Sequence, residues 1–494
     1  MILSKSNSSF IKKTVLAKLI LYSLLTQFNL HPPGFLLLPI YTTYLKPEDY
    51  GIMNLITSIT GFLSILFLVS LHAAAARFHF KYVTSKGQAI VWGTILLMVL
   101  FNSAFWGLIC IIFHDALLVP LAEGIPFYPL LLLAILGTML SPLYLFYQQW
   151  LQCTQDGLRY TLNLMCNFLL QVFLNLLMLM VFHQGVLGII ISSFIVSMIF
   201  FIYSMISFLP HITLCINKEI SVAAFKYSLP LIPHSVSGYL SVMLDRILLN
   251  KLIGIQQVGL YGVANQFGNI LNLFTSSINQ AFTPWLYQKL EKENESSNYK
   301  SIYKFAEISN VLCCFVALVI TFFSPEFIRL MTTDEFYSSW QPIVFITFGY
   351  VLNGLYFFFS KSLFFSYTKY VMIISLSTVL LNFVFNMILI PNYGYLGAGV
   401  AFLLSQFVSS VISLLLSMKL VPYLRYYWKK MYFFCFIFFL LCISIFFFQL
   451  VDDLWYRLIL KIAFMLSVLG CVSYIYRHSL RLFKNQILNK NKYI

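Results

Sequence analysis

The stretch SLPLIPHSVSGYLSVMLDRILLNK, residues 228–251, has the features of an unusual membrane-spanning helix. It is mostly apolar over about 20 residues, the length that an α-helix needs to cross the hydrocarbon core of a bilayer. It nevertheless contains two prolines and a histidine, and Asp245 is followed directly by Arg246. Proline and charge are costly in a lipid-facing helix. The segment therefore predicts a membrane helix that faces protein or water along part of its surface.

The composition places most of the chain in a lipid bilayer. Of the 494 residues, 60% are hydrophobic and 10% are charged, and no polar segment is long enough for a large soluble domain. The nine cysteines are scattered through apolar runs without a CxxC spacing. Neither a disulfide framework nor a metal site is therefore indicated.

Apolar runs bounded by charged or Pro/Gly-containing segments predict an all-α polytopic membrane protein with about 14 transmembrane helices. Spans 1 to 7 are placed at 14–44, 50–76, 89–113, 127–150, 160–182, 187–208 and 227–249. Spans 8 to 14 are placed at 258–284, 305–323, 341–360, 370–390, 396–418, 431–450 and 454–476.

The distribution of lysine and arginine predicts the orientation of these spans. If both termini are cytoplasmic, six of the 31 Lys and Arg residues fall on the outer side, namely Lys46, Arg246, Lys251, Arg329, Arg457 and Lys461. Such a bias is what the positive-inside rule requires. The net charge of +15 is therefore mostly a topology signal, and it does not indicate a nucleic-acid partner.

Two short motifs recur at nearly equal offsets and predict an internal repeat. Tyr50-Gly51 recurs as Tyr261-Gly262, and GVLG at 185–188 recurs as GYLG at 394–397. Because a six-helix unit is even-numbered, both copies enter the membrane in the same direction, as in transporters with parallel repeats. We predict two six-helix lobes, 1–208 and 227–420, around a central cavity. Helices 13 and 14 at 431–476 and a basic cytoplasmic tail at 477–494 follow.

A polar stripe on span 8 is the first candidate for a cavity wall. Asn265, Asn269, Asn272, Ser276 and Asn279 recur at helical spacing and fall within an arc of about 80°. Such a stripe faces either a cavity or neighbouring helices, to which amides can hydrogen-bond. Five polar groups exceed what helix contacts need, so a substrate cavity is favoured.

A looser polar row on span 5 drifts around its helix and fits helix packing as well as it fits a cavity. It consists of Asn163, Asn167, Gln171 and Asn175.

A few cations near the cavity would suit a phosphate. The candidates are Lys18, Arg77, Arg246, Lys251 and Lys361, and Asn29 shares one face of span 1 with Lys18. For each cation taken singly, snorkelling toward the membrane surface is the alternative.

Prolines break the opening span of each predicted lobe. Pro32-Pro33 follow His31 in span 1, and Pro233 precedes His234 in span 7. A broken helix frees backbone groups that only a protein-lined or watery space satisfies. The breaks predict a flexing element in each lobe, with a fixed kink as the alternative.

Asp245 and Arg246 lie toward the other end of span 7. Asp245 is about 28 Å along the helix from the cytoplasmic edge, close to the outer rim of the hydrocarbon core. Neighbours in sequence do not face each other on a helix, so each is expected to meet a different partner. We predict an outer gate at this pair and a proton-responsive group at His234, about 12 Å deep. His31 and Lys361 complete the candidate gate and coupling residues.

Several segments, in this order and spacing, resemble the Wzx-type O-antigen and capsule flippases. They are LLLPIYTTYLKPEDYGIMNLITSI (36–59), SLPLIPHSVSGYLSVMLDRILLNKLIG (228–254), VGLYGVANQFG (258–268), INQAFTPWLYQKL (278–290) and PNYGYLGAGVA (391–401). That group belongs to the multidrug/oligosaccharidyl-lipid/polysaccharide exporter superfamily. The resemblance covers most of the chain, up to about span 12.

The resemblance implies a two-lobe transporter in the bacterial inner membrane with both termini cytoplasmic. It would flip undecaprenyl-diphosphate-linked oligosaccharide to the periplasmic leaflet for surface polysaccharide, using a proton gradient and no cofactor. The pathway's polymerase and chain-length regulator would be its partners, besides membrane lipids. The chain has no Walker-type GxxxxGK[ST] motif, which agrees with transport without ATP.

Three other functions compete with this interpretation. A flippase for the peptidoglycan lipid precursor is poorly separated from it by sequence. A multidrug antiporter should carry buried carboxylates early in a lobe, whereas the acidic residues of the first predicted lobe fall in loops or at span ends. A polymerase or ligase would need a large reactive outer loop, and the longest predicted one, about 324–341, contains no histidine.

Overall fold

The computed structural model describes residues 34–82, 84–291, 296–422, 424, 426–451 and 453–475. Within these ranges the protein consists of helices joined by short turns, without a β-strand. The predicted all-α fold is therefore confirmed. Lys18, Asn29 and His31 lie outside the described residues, and so does the side chain of His234.

The helices of the first half follow the predicted spans closely. They are Gly34–Tyr44 (end of span 1), Pro47–Leu68 and Leu71–Lys81 (span 2), Ser85–Ile112 (span 3), Leu132–Cys153 (span 4), Gly157–Leu176 (span 5) and Gly185–Phe208 (span 6). Short helical turns lie at His114–Leu117, Phe127–Leu131 and Leu177–Val181.

A connecting helix, Lys218–Ser228, leads into the second half. Its helices are Ile232–Leu252 (span 7), Ile255–Glu291 (span 8), Ser296–Met331 (span 9), Ile343–Ser366 (span 10), Thr368–Leu420 (spans 11 and 12), Trp428–Ile443 (span 13) and Leu454–Ile475 (span 14).

Ten helical segments of the described residues are long and apolar enough to cross a membrane. The helices of spans 7 and 8 are not among them. Their prolines, charges and amides lower their hydropathy, as expected for helices that face protein or water. The total of 14 spans stays a prediction.

Two boundaries differ from the prediction. The outer loop predicted at about 324–341 is largely helical, because span 9 continues through Pro325 to Met331 and a 3-10 helix follows at Asp334–Trp340. Spans 11 and 12 are joined without an intervening loop. A kink at Gly394, whose φ is 55°, turns the chain there, in a conformation that glycine adopts without steric cost.

Spans 2 and 8 cross at very close range. A Cβ atom added to Gly51 would overlap the carbonyl oxygen of Ile255, and one added to Gly259 would overlap that of Pro47. The contact is reciprocal, since each glycine lies over the backbone four residues before the other. Only glycine allows two helix backbones to approach this closely.

The C-terminal helices dock on span 9 through buried charge. The Lys461 ammonium lies 2.8 Å from Oε1 of Glu326 and donates a hydrogen bond to the carbonyl of Phe322. The Arg457 guanidinium lies 3.1 Å from the same Oε1. At the other end of span 9, Glu307 pairs with Lys430. Span 14 is thus fixed to the second half of the molecule.

Candidate functional site

Asp245 of span 7 is buried among polar side chains from two other spans. Asn386 of span 11 donates a hydrogen bond to its Oδ1 at 2.6 Å, and Tyr261 of span 8 donates to its Oδ2 at 3.3 Å. Asn382 accepts from Asn386 at 3.1 Å. The Nδ2 of Asn382 and the Oδ1 of Asn386 are buried without a hydrogen-bond partner among the described residues. The two amides near the buried carboxylate therefore keep one donor and one acceptor that are not hydrogen-bonded within the part of the chain that the structure describes.

Arg246 bonds within its own helix and acts electrostatically on Asp245 and on Tyr261. Its guanidinium is half-buried, and Nη1 donates to the carbonyl of Val242 on its own helix at 2.9 Å. It lies near enough to Tyr50 of span 2 and Tyr350 of span 10 to act on their hydroxyls electrostatically. Arg246 thus lies within electrostatic range of side chains of spans 2 and 10.

The hydroxyls beside Arg246 differ in their bonding. Tyr50 is fully buried, and its hydroxyl has no hydrogen-bond partner within the described residues, although Asn54 and Gln266 flank it. The hydroxyl of Tyr350 donates to Oδ1 of Asn269 at 3.3 Å. Tyr350 therefore bonds to the polar stripe of span 8 and lies within electrostatic range of the cation of span 7.

The polar stripe of span 8 is not fully buried between helices. Asn269 is exposed, and Asn265, Asn272, Ser276 and Asn279 are half-buried. Asn279 lines a recess with Thr275 of its own helix and Gly354 of span 10. Exposed amides within a membrane helix are expensive against lipid, so this face suits a polar space.

The other candidate cations lie apart from Arg246. Lys361 is half-buried on span 10, eleven residues after Tyr350 and hence on the same helix face, about 16 Å along it. Arg77 is exposed on the second half of span 2, with its guanidinium 4.6 Å from the ring centre of Tyr227 in the connecting helix. The structure brings Arg77 to that helix and not to the stripe.

The polar row of span 5 makes helix contacts. Asn163 accepts from the hydroxyl of Tyr203 in span 6 at 2.9 Å. Asn175 donates to the hydroxyl of Tyr41 at 2.7 Å and accepts from Gln171. Of the two interpretations of this row, packing is the one that these bonds support.

Sequence reasoning did not identify Tyr50, Tyr350, Asn382 or Asn386 as site residues. The last two could have been found, because amides four residues apart in an apolar span are the signal that revealed span 8. The tyrosines carried no such signal among the 31 of the chain.

The arrangement has the chemistry to bind a polar, anionic group. A guanidinium offers several donors in a fixed planar fork that matches phosphate oxygens. Tyrosine hydroxyls and amides add neutral hydrogen bonds, and aromatic rings and amides also suit sugars. Across the described residues no group of three His, Cys, Asp or Glu side chains could hold a metal ion.

Comparison with known proteins agrees with this architecture. The profile of a family described as polysaccharide biosynthesis protein matches residues 16–290, and the MatE profile matches residues 230–388. The capsular polysaccharide biosynthesis protein CapF of Staphylococcus aureus is 26% identical over 200 residues, which are 39% of this chain and 50% of CapF. The match thus spans about half the length of that curated relative.

Solved structures share the fold at low identity. Lipid II flippase MurJ, in an inward closed conformation, superimposes with a TM-score of 0.66 at 15% identity, over 90% of this chain and 100% of MurJ. An inward-facing multidrug resistance MATE transporter of the MOP superfamily gives 0.65 at 15% identity, over 83% and 98%. Both have the two-lobe transporter fold. Because the first profile covers more than half of the residues, the chain belongs to the polysaccharide biosynthesis protein family.

Proposed function

We propose that this protein flips undecaprenyl-diphosphate-linked oligosaccharide from the cytoplasmic to the outer leaflet of the bacterial inner membrane, for capsule or O-antigen synthesis. Family membership and the similarity to CapF support a role in polysaccharide synthesis. The shared fold supports transport by alternating access of two lobes. The pathway's polymerase and chain-length regulator are its proposed partners, and both termini are proposed to be cytoplasmic.

The observation that carries this proposal is the position of Arg246, half-buried and within electrostatic range of Tyr350, whose hydroxyl donates to the exposed Asn269. The sugar and the diphosphate of such a lipid both resist entry into hydrocarbon. Each unsatisfied polar group of the sugar costs several kcal/mol, and each charge of the diphosphate costs more. Arg246 can pair with the diphosphate, and the polar stripe beside it can hydrogen-bond to the sugar.

We assign the diphosphate to Arg246. The oligosaccharide then extends along the stripe, from Asn269 through Asn272, Ser276 and Asn279. Lys361, on the same face of span 10 as Tyr350, contacts the substrate as it enters or leaves. The polyprenyl tail stays in the bilayer, so only the headgroup needs a polar path. No bond is made or broken.

Coupling to an ion gradient is proposed to run through Asp245. A buried carboxylate with unfilled amide capacity on Asn382 and Asn386 gains stability by binding a proton or a monovalent cation. Because Tyr261 joins Asp245 to span 8, a change of charge there reaches the helix that carries the stripe. Transport driven by a proton gradient should become independent of pH gradients in Asp245→Asn.

The buried Asp245 also favours a second candidate, a multidrug antiporter, since such proteins need a buried carboxylate. Against it, the nearest charged neighbour is a cation, which repels the cationic drugs that such carriers bind. A flippase for the peptidoglycan precursor remains the nearest alternative, because its substrate carries the same lipid diphosphate.

Deleting the gene tests the proposal. Lipid-linked repeat units should accumulate on the cytoplasmic side, and surface polysaccharide should disappear while peptidoglycan synthesis continues. Complementation with the wild-type gene should restore export. Normal surface polymer with altered drug tolerance would overturn the proposal in favour of the antiporter. Arrested cell-wall synthesis would overturn it in favour of the precursor flippase.

A further inference from the structure

Span 2 is broken at its middle in a way that neither proline nor glycine explains. Pro47–Leu68 and Leu71–Lys81 are separated by Val69 and Ser70, whose φ angles are 48° and 54°. A positive φ is uncommon outside glycine, and for a β-branched residue such as valine it is a genuine outlier. Such conformations persist only where the surroundings hold them.

Side chains from two other elements hold this break. Asn102 of span 3 donates from Nδ2 to the carbonyls of Leu66 and Phe67, at 2.8 and 2.7 Å. These are among the last carbonyls of the outer half, which the break deprives of intrahelical donors. From the other side, the hydroxyl of Ser228 donates to the carbonyl of Ser70 at 3.3 Å. Asn102 and Ser228 thus hydrogen-bond to the carbonyls on either side of the break and stabilise it.

The two halves of span 2 are attached to different parts of the molecule. The outer half crosses span 8 at the reciprocal contact of Gly51 and Gly259. The inner half lies against the connecting helix, where the Arg77 guanidinium stacks over Tyr227 and the ring of Phe78 lies 6.4 Å from that of Tyr227. A movement of the connecting helix therefore reaches the inner half without moving the crossing of spans 2 and 8.

The equivalent position in span 8 is unbroken. The predicted repeat pairs Tyr50-Gly51 with Tyr261-Gly262, and the same offset carries the break to Gln280 and Ala281. Both lie inside the continuous helix Ile255–Glu291. The break is therefore a property of span 2 and not of the helix pair.

We propose that Val69 and Ser70 form a hinge and that Asn102 is a positioning residue that holds span 2 in its bent form. This rests on the proposed function, since it assigns the hinge to the opening of the inner mouth. In the bent form the inner half follows the connecting helix and the inner mouth stays open. When Asn102 releases the two carbonyls, span 2 regains its helical bonds, straightens and brings the inner half toward the second lobe.

Distance measurements on the full-length protein in nanodiscs test the hinge without any substrate. Spin labels are placed at the exposed positions 80 and 419 by Phe80→Cys and Lys419→Cys, after Cys166→Ser and Cys471→Ser remove the exposed native thiols. Asn102→Leu should shift the population ratio toward the short distance by about tenfold, because two hydrogen bonds to the bent form are lost. Val69→Gly should shift it the other way, since glycine adopts a positive φ freely. Asn102→Ser, which keeps a donor, should restore part of the bent population.

Matched controls separate the hinge from general effects. Asn392→Leu removes an amide that donates to a carbonyl of its own helix, and Thr57→Gly places glycine in the regular outer half of span 2. Neither should move the ratio. Unchanged distances in both Asn102→Leu and Val69→Gly, with folded protein, would overturn the hinge. Equal shifts in the controls would also overturn it. Shifted distances, in a protein whose deletion leaves surface polysaccharide intact, would support the hinge and overturn the proposed function.

Discussion

Gly51 and Gly259 each lie over a backbone carbonyl of the other's helix, four residues before the partner glycine. Each of spans 2 and 8 thus presents a glycine to the backbone of the other helix where they cross. Asn54 fills the space above Gly262 in the same crossing. Because span 2 precedes and span 8 follows the connecting helix, the crossing joins the two predicted lobes.

Gly259→Val should prevent the helices from closing at this crossing. The added side chain overlaps backbone, which cannot move aside as a flexible side chain could. We expect export to fall at least tenfold while the protein still inserts in the membrane, because each helix is intact. Gly238→Val is the control, since nothing lies within 4 Å of an added Cβ there. Normal export by Gly259→Val would show that the crossing does not need to close.

Lys461→Met should lower thermal stability. It leaves Glu326 with one cation and the carbonyl of Phe322 without this donor. Losing a charge-assisted bond and leaving a buried carbonyl without its donor costs about 2 kcal/mol. The unfolding midpoint in detergent should therefore fall, and Glu326→Gln should lower it further, because that change leaves both Lys461 and Arg457 without their carboxylate. Lys429→Met, at an exposed lysine, should leave the midpoint unchanged. Equal midpoints for all variants would show that the cluster does not stabilise span 14.

The amides of spans 5 and 8 should respond differently to replacement. Asn163→Leu removes the acceptor of Tyr203 in a buried contact and should cost about 1–2 kcal/mol of stability. Asn269→Leu and Asn272→Leu lie on the open face of span 8 and should reduce export without lowering the unfolding midpoint. Stability and export are measured on the same membrane preparations. If the span 8 variants are folded and export normally, that stripe serves packing.

Periodicity explains which features could be predicted. The amides of span 8 follow the 3.6-residue period, so their shared face was visible without any structure. The depth of Asp245 along span 7 was equally accessible, but its burial depended on Asn386, 141 residues later, which only tertiary packing brings near. Tyr350 joins the site for the same reason. The break at Val69 and Ser70 contains no glycine or proline, so the local sequence does not predict it.

Arg246 provides the sharpest test of the substrate site. Arg246→Gln keeps a polar side chain but removes the charge and the planar fork, so export of the lipid-linked oligosaccharide should fall by about a hundredfold. Arg246→Lys keeps the charge alone and should retain intermediate activity. Lys251→Gln removes an exposed cation five residues away on the same helix and should export normally. Export is measured as surface polysaccharide per amount of membrane-inserted protein.

Binding measurements distinguish a loss of substrate binding from a loss of the transport movement. Purified wild-type protein in nanodiscs should be stabilised against heat by undecaprenyl diphosphate, and Arg246→Gln should lose that stabilisation because its headgroup contact is gone. Asp245→Asn should retain it, since the hydrogen bonds of Asp245 go to Tyr261 and Asn386 and the change leaves the Arg246 guanidinium in place. If Arg246→Gln is stabilised as strongly as the wild type, the diphosphate binds elsewhere. Loss of stabilisation in both variants would instead mean that the buried carboxylate and the diphosphate site act as one unit.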